Sequence, residues 1–148
     1  MKLIHSAVIS VFCKELENLQ EITRALRSLA PIPDQIQIES HAASGFNEKK
    51  IIILELRLEK EKHTNAFLRY LAGRLGREQL GLVLNQKHSR LDDEFCFFLR
   101  LDKPALLKGE YKLIDQGNCF HIKLSIAAFP KTRQAALEVV SKIFSTAA

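Results

Sequence analysis

At 148 residues the chain fits a single domain, 1–148, large enough to bury roughly 70% of the surface its unfolded form exposes, so no disulfide or metal is needed to hold it together. A hydrophobic fraction of 47% with 26% charged residues is ordinary for a soluble globular protein, and neither a low-complexity tract nor an internal repeat appears. The formal charge of +5 tilts the chain towards an anionic partner without naming one, because clustered Lys and Arg release counterions from a polyphosphate.

Taken in order, Leu3 to Phe12 predicts a first, central strand, with apolar side chains on both faces broken by small Ser6 and Ser10. The same run fails as a signal sequence. His5, Ser6 and Ser10 interrupt it, and bulky Phe12 stands where a small residue would precede a cleavage site. No stretch approaches the roughly 20 apolar residues of a membrane-spanning helix, so the expected place is the cytoplasm. Cys13, Cys96 and Cys119 are odd in number and form no C-x-x-C, which argues against a disulfide framework and a zinc site and for a reducing interior.

From Lys14 the period turns helical, Leu16, Leu19, Ile22, Leu26 and Leu29 forming a stripe that Pro31 and Pro33 end. Gln35 to Ala42 alternates as a half-exposed strand and turns through Ser44-Gly45-Phe46-Asn47 into Lys50 to Lys60, the clearest alternation in the chain, with Ile52, Leu54, Leu56 and Leu58 inward. Glu61 to Leu75 returns to helical spacing, and Gly76 to Lys87 leans to helix.

Phe95 to Leu101 is apolar nearly throughout and predicts a strand buried on much of both faces, entered through the acidic triplet Asp92, Asp93, Glu94. Asp102 then offers a carboxylate to a helix start, Pro104 suits its first turn, and Gly109 suits the left-handed residue after its end. Tyr111 to Ile114 and Cys119 to Ala127 predict an antiparallel hairpin around Asp115 to Asn118, and Lys131 to Phe144 predicts a closing helix. The order βαββα(α)βαββα describes an α+β domain of two layers, a largely antiparallel sheet covered by helices. A doubly wound nucleotide fold is disfavoured, since Phe12-Cys-Lys-Glu15 has no glycine to bring backbone near a pyrophosphate.

One stretch carries a likeness. Arg90-Leu-Asp-Asp-Glu, Phe98-Leu-Arg-Leu-Asp-Lys103 and Gly109-Glu together resemble the signature of an archaeal RNA-binding family usually described as predicted exosome subunits. Weaker correspondence extends over most of the chain; Pro104 replaces a Gln expected in relatives, and Gly45-Phe-Asn47-Glu-Lys49-Lys50 approximates a Gly-Asn-Pro-type loop. The resemblance implies a fold similar to that of an RNA-binding large-subunit ribosomal protein and, more loosely, to double-stranded-RNA-binding domains. It also implies RNA as partner, with exosome components as further partners.

Catalysis finds little support. Asp92, Asp93 and Glu94 with His88 offer metal-binding groups for a nuclease, but consecutive carboxylates in a strand point to opposite faces. The five histidines, His5, His41, His63, His88 and His121, follow no ligand spacing, though His5 and His121 both lie on strands. No nucleophile elbow or phosphate-binding glycine loop is present. The expectation is a protein with no catalytic residue, no cofactor and no metal.

Binding rests on three basic patches: the loop Asn47, Lys49, Lys50; the helix face Lys60, Lys62, Arg69, Arg74, Arg77; and Arg100, Lys103 and Lys108 around the helix that Asp102 caps. From these the predicted RNA-binding set is Asn47, Lys49, Lys50, Lys62, Arg69, Arg100 and Lys103. Base stacking looks unpromising, because the chain has no Trp, only two Tyr, and a Phe95, Phe97, Phe98 run that reads as core. Structured or double-stranded RNA read through backbone and shape is therefore the expected ligand. The alternative is a scaffolding module, a homodimer joined at a sheet edge, whose positive charge is incidental.

Overall fold

A computed structural model of the protein describes residues 1–32, 36–44 and 50–145. At its centre lies β1 (Ile4–Lys14), whose alternation buries Ile4, Ala7, Ile9, Val11 and Cys13 after a register shift between Ile4 and Ser6. It runs antiparallel to β3 (Lys50–Leu58) on one side and to β5 (Cys119–Ile126) on the other. Outside these lie β2 (Ile38–Ser44) and β4 (Cys96–Asp102), giving a five-stranded antiparallel sheet in the order β2-β3-β1-β5-β4.

The helices are α1 (Leu19–Ser28), α2 (Glu61–Asn85), the single turn α3 (Lys87–Arg90), α4 (Lys103–Leu107) and α5 (Arg133–Ile143). Ile22 and Leu26 of α1, Phe67 and Leu71 of α2, and Ala136 and Val140 of α5 join the inward residues of the strands in one apolar core. That core lies on one side of the sheet, so the period-2 side chains of the other side stay uncovered.

The two-layer α+β expectation holds, and three of its details change. Leu16 does not begin a helical stripe: β1 continues to Lys14, the Glu17 carboxylate accepts the Lys14 N–H at 2.9 Å, and Leu16 stands fully exposed before Asn18 caps α1. The strand β4 is an edge strand with alternating burial rather than one buried on both faces, Phe98 and Arg100 facing away from the core. Tyr111 to Ile114 forms no hairpin with β5, both of whose edges are taken by β1 and β4. It passes the outer edge of β4 instead, where Lys112 and Arg100 carbonyls accept from Asp102 and Ile114 and Leu113 bridges Leu101. The helix predicted over Gly76 to Lys87 is present as far as Asn85 and continuous with the preceding one except at Gly76, whose φ of 81° breaks the ladder. Gln35, in the predicted second strand, lies outside the described residues.

The stop and start signals around α4 are as read: the Asp102 carboxylate accepts the Ala105 N–H at 3.0 Å, Pro104 sits in the first turn, and Gly109 has a φ of 85°. Asp102→Ala leaves that N–H without its cap and should lower stability by about 1 kcal/mol, read as a reduced urea midpoint at unchanged m-value.

Candidate nucleic-acid interface

The uncovered sheet face divides by charge. On β2 and β3 it presents Glu39, His41, Glu55 and Arg57, with Arg57 held 3.8 Å from both Glu55 and Glu59. On β1, β5 and β4 it presents Ser10, Phe12, Lys14, His121, Lys123, Phe98 and Arg100, and the one carboxylate among these outward strand positions is the helix-capping Asp102. Register brings these into rows: Ser10 lies opposite His121 and His121 opposite Arg100, while Val8 lies opposite Lys123 and Lys123 opposite Phe98.

Aromatic surface lies among these cations. The Phe98 and His121 rings sit 5.5 Å apart at 40°, and Phe12 is 55% exposed. Burial, then Arg100 and Lys123 beside it, push the His121 imidazole below its ordinary pKa, so at neutral pH the ring is uncharged and acts as a flat polar surface. Between Phe12 and the start of β5 the sheet opens into a groove of about 460 Å³, lined by Ser10, Phe12, Lys14, Asn118, Cys119 and His121.

The predicted binding residues fall in different places. Arg100 is on the outward face of β4, half-exposed. Lys50 opens β3, exposed, at the end of the sheet where Lys14 lies opposite Ile51. Lys62 and Arg69 are exposed on α2, whose Phe67, Leu68 and Leu71 pack on the opposite, covered face; they share no surface with Arg100. On the same helix Arg74 is engaged, donating to the Gly109 carbonyl at 2.8 Å and lying 5.1 Å over the Tyr111 ring. Asn47 and Lys49 lie outside the described residues; the strands that flank them end and begin at Ser44 and Lys50.

Lys103 is a correction. Its side chain is 1% exposed, and its ammonium donates to the Phe12 carbonyl at 2.6 Å and to the Glu17 carboxylate at 2.9 and 3.1 Å. A group so enclosed presents nothing to a phosphate. Burial alone would raise the Glu17 carboxyl, but the Lys14 N–H and the Lys103 ammonium outweigh it and hold the group below its ordinary range. The pair fastens the end of β1 to the start of α4, and with it the backbone that carries Phe12.

Outward residues that sequence reasoning missed are Phe12, Lys14, His121 and Lys123. The acidic triplet serves the chain itself: the Asp92 carboxylate accepts from the Glu94 and Cys96 N–H groups at 2.9 and 2.8 Å, closing the turn into β4 that places Phe95 at a φ of 63°. Among the described residues no three His, Cys, Asp or Glu side chains gather as metal ligands, and no helix is long and apolar enough to cross a membrane.

A family model described as RNA binding matches residues 6–127, which spans every strand of the sheet except the first two residues of β1. The chain belongs to this RNA-binding family. Within the family's reach, a curated relative from Pyrococcus abyssi, RNA-binding protein PAB1135, is 23% identical over 139 residues, covering 92% of this chain and 90% of its own. Two solved structures share the fold. Protein AF2318 from Archaeglobus fulgidus superposes with a TM-score of 0.84 at 24% identity, over 95% of this chain and 99% of that one. Mth689, a DUF54 protein from Methanothermobacter thermautotrophicus, superposes with a TM-score of 0.80 at 25% identity, over 97% of this chain and 100% of that one. The likeness in the Arg90 to Gly109 stretch thus extends over the whole RNA-binding family domain of this chain.

Proposed function

We propose that the protein is a non-catalytic binder of structured RNA that holds the RNA backbone on the β1, β5 and β4 half of its uncovered sheet face. The observation that carries this is the segregation of charge on that face: Lys14, Arg100 and Lys123 all lie on the β1, β5 and β4 half, while Glu39, Glu55 and Glu59 lie on the β2 and β3 side, where Arg57 is held by Glu55 and Glu59. A polyphosphate laid across the first half meets several cations at once and displaces their counterions. Lys50, exposed at the Lys14 end of the sheet but on the Ile52 and Leu54 parity of β3, adds attraction from that end rather than a contact on this face. Lys62 and Arg69, on the other layer, add only long-range attraction that salt screens. The engagement of the Asp92 carboxylate in the β4 turn supports a role without catalysis.

Filter binding of an RNA hairpin at two salt concentrations tests this. Affinity should fall steeply with salt, and each of Arg100→Gln and Lys123→Gln should reduce the slope of log affinity against log salt by roughly 0.7 to 0.9. Binding absent at low salt, or indifferent to salt, overturns the proposal.

An accessory place in RNA processing, with exosome components as partners, is supported by the resemblance of the Arg90 to Gly109 stretch. A partner lost from a pull-down on nuclease treatment is joined to this protein through RNA. The second reading, a homodimer, is favoured by one observation: the outer edge of β4 is occupied by Lys112, Ile114 and the Arg90 guanidinium, whereas among the described residues β2 pairs with β3 alone. Light scattering at twice the monomer mass, with or without RNA, supports that edge as the joint.

A further inference from the structure

The groove at the end of β1 is built unlike the rest of the uncovered face. Phe12 is the strand's one large apolar side chain turned fully to this side near the Lys14 end, and it is 55% exposed. Its backbone is not loose: the Phe12 carbonyl accepts from the buried Lys103 ammonium at 2.6 Å, and the Lys103 to Glu17 pair holds the following turn. An aromatic ring that is both presented and anchored is a preorganised contact rather than a core side chain left over.

What surrounds the ring limits what it takes. The groove of about 460 Å³ is mostly apolar and is lined by exposed Lys14 and Asn118 together with Phe12 and His121. A register step away, Arg100 lies opposite His121. An apolar peptide would leave Lys14 and Asn118 without partners, and a base-paired helix would offer no flat apolar surface to Phe12, because its bases are stacked inside. A nucleobase out of its stack matches all of these at once: a flat π-face for Phe12, edge groups for Asn118 and His121, and a phosphate for Lys14 and Arg100.

We infer that the Phe12 groove takes an unpaired nucleobase, so that the RNA held by the surrounding cations is one with a loop, bulge or single-stranded end at this position. This rests on the RNA-binding reading above and narrows it to a class of RNA. It also amends the expectation that base stacking is unpromising.

The absence of Trp from the chain supplies the test, since Phe12→Trp introduces its sole indole fluorophore at the point in question. Two probes are compared at one salt concentration, an RNA hairpin with a loop of unpaired uridines and a blunt duplex of the same stem. The wild-type protein should bind the hairpin more tightly than the duplex. Phe12→Ala should weaken hairpin binding roughly ten-fold with little change for the duplex and no change in salt slope, as expected for loss of one stacking contact. The Phe12→Trp fluorescence should be quenched by the hairpin and not by the duplex. Equal affinity of wild type and Phe12→Ala for the hairpin, or no quenching on demonstrated binding, overturns the groove while leaving the cationic face standing. If wild type binds neither RNA at low salt, the RNA-binding reading and the groove fall together. Because Phe12 is exposed, an unchanged urea midpoint in both variants confirms that any loss is local.

Discussion

Lys103→Met is expected to lower the unfolding free energy by about 3 kcal/mol, the low end of the range for removing one partner of a buried ion pair. The ammonium is 1% exposed and makes its hydrogen bonds to the Phe12 carbonyl and the Glu17 carboxylate, so the variant leaves both acceptors without their donor. The figure stays at the low end because Glu17, 27% exposed on its side chain, can recover some hydration. Denaturant unfolding measures it, and a loss below about 1 kcal/mol would show that the pair does not hold β1 to α4. The pH dependence has a definite sign. Glu17 has its folded pKa depressed, so the contribution of the pair is present above its unfolded pKa and is lost as pH falls through the folded value; the gap between wild type and variant should narrow in acid.

Reversing charge on the uncovered face should have the largest effect on RNA affinity. Arg100→Glu with Lys123→Glu removes two cations from the basic half and adds two anions beside the path of the backbone, and hairpin affinity at moderate salt should drop roughly 100-fold. The matched control is Lys62→Glu with Arg69→Glu on α2, which changes net charge by the same amount on the other layer and should cost less than roughly five-fold through the long-range field alone. Equal losses in the two double variants would mean that net charge, not its placement, governs binding. All four side chains are outside the core, so both variants should unfold near the wild-type midpoint.

Much of the scaffold was legible because its signals are local. The alternation of Ile52, Leu54, Leu56 and Leu58 needs only its own residues to declare a strand with one buried face, and the Asp102, Pro104 and Gly109 signals around α4 act within a turn or two. The position of a strand within the sheet is not local. Phe95 to Leu101 is apolar enough for a central strand, yet β4 is last in the strand order, and only that order shows it.

The candidate site was legible in part for the same reason. Arg100 was legible as the one charged residue of the Phe95 to Leu101 run, although its outward direction shows only in the pairing of β4 with β5. Lys103 starts the helix that follows this strand and looks equivalent, but Glu17, distant in sequence, draws its ammonium inward. Phe12 was hidden differently. Leu3 to Phe12 is apolar on both faces, so which face the helices cover could not be told from the run itself, and the register shift between Ile4 and Ser6 changes the parity on which a guess would rest.

The most direct measurement follows backbone amide chemical shifts in the labelled protein while a looped RNA hairpin is added. The largest changes should map to Ser10, Phe12, Lys14, Arg100, His121 and Lys123, on three adjacent strands of one face. Changes confined to the outer surface of α2 around Lys62 and Arg69, with those strands undisturbed, would contradict an RNA site on the sheet.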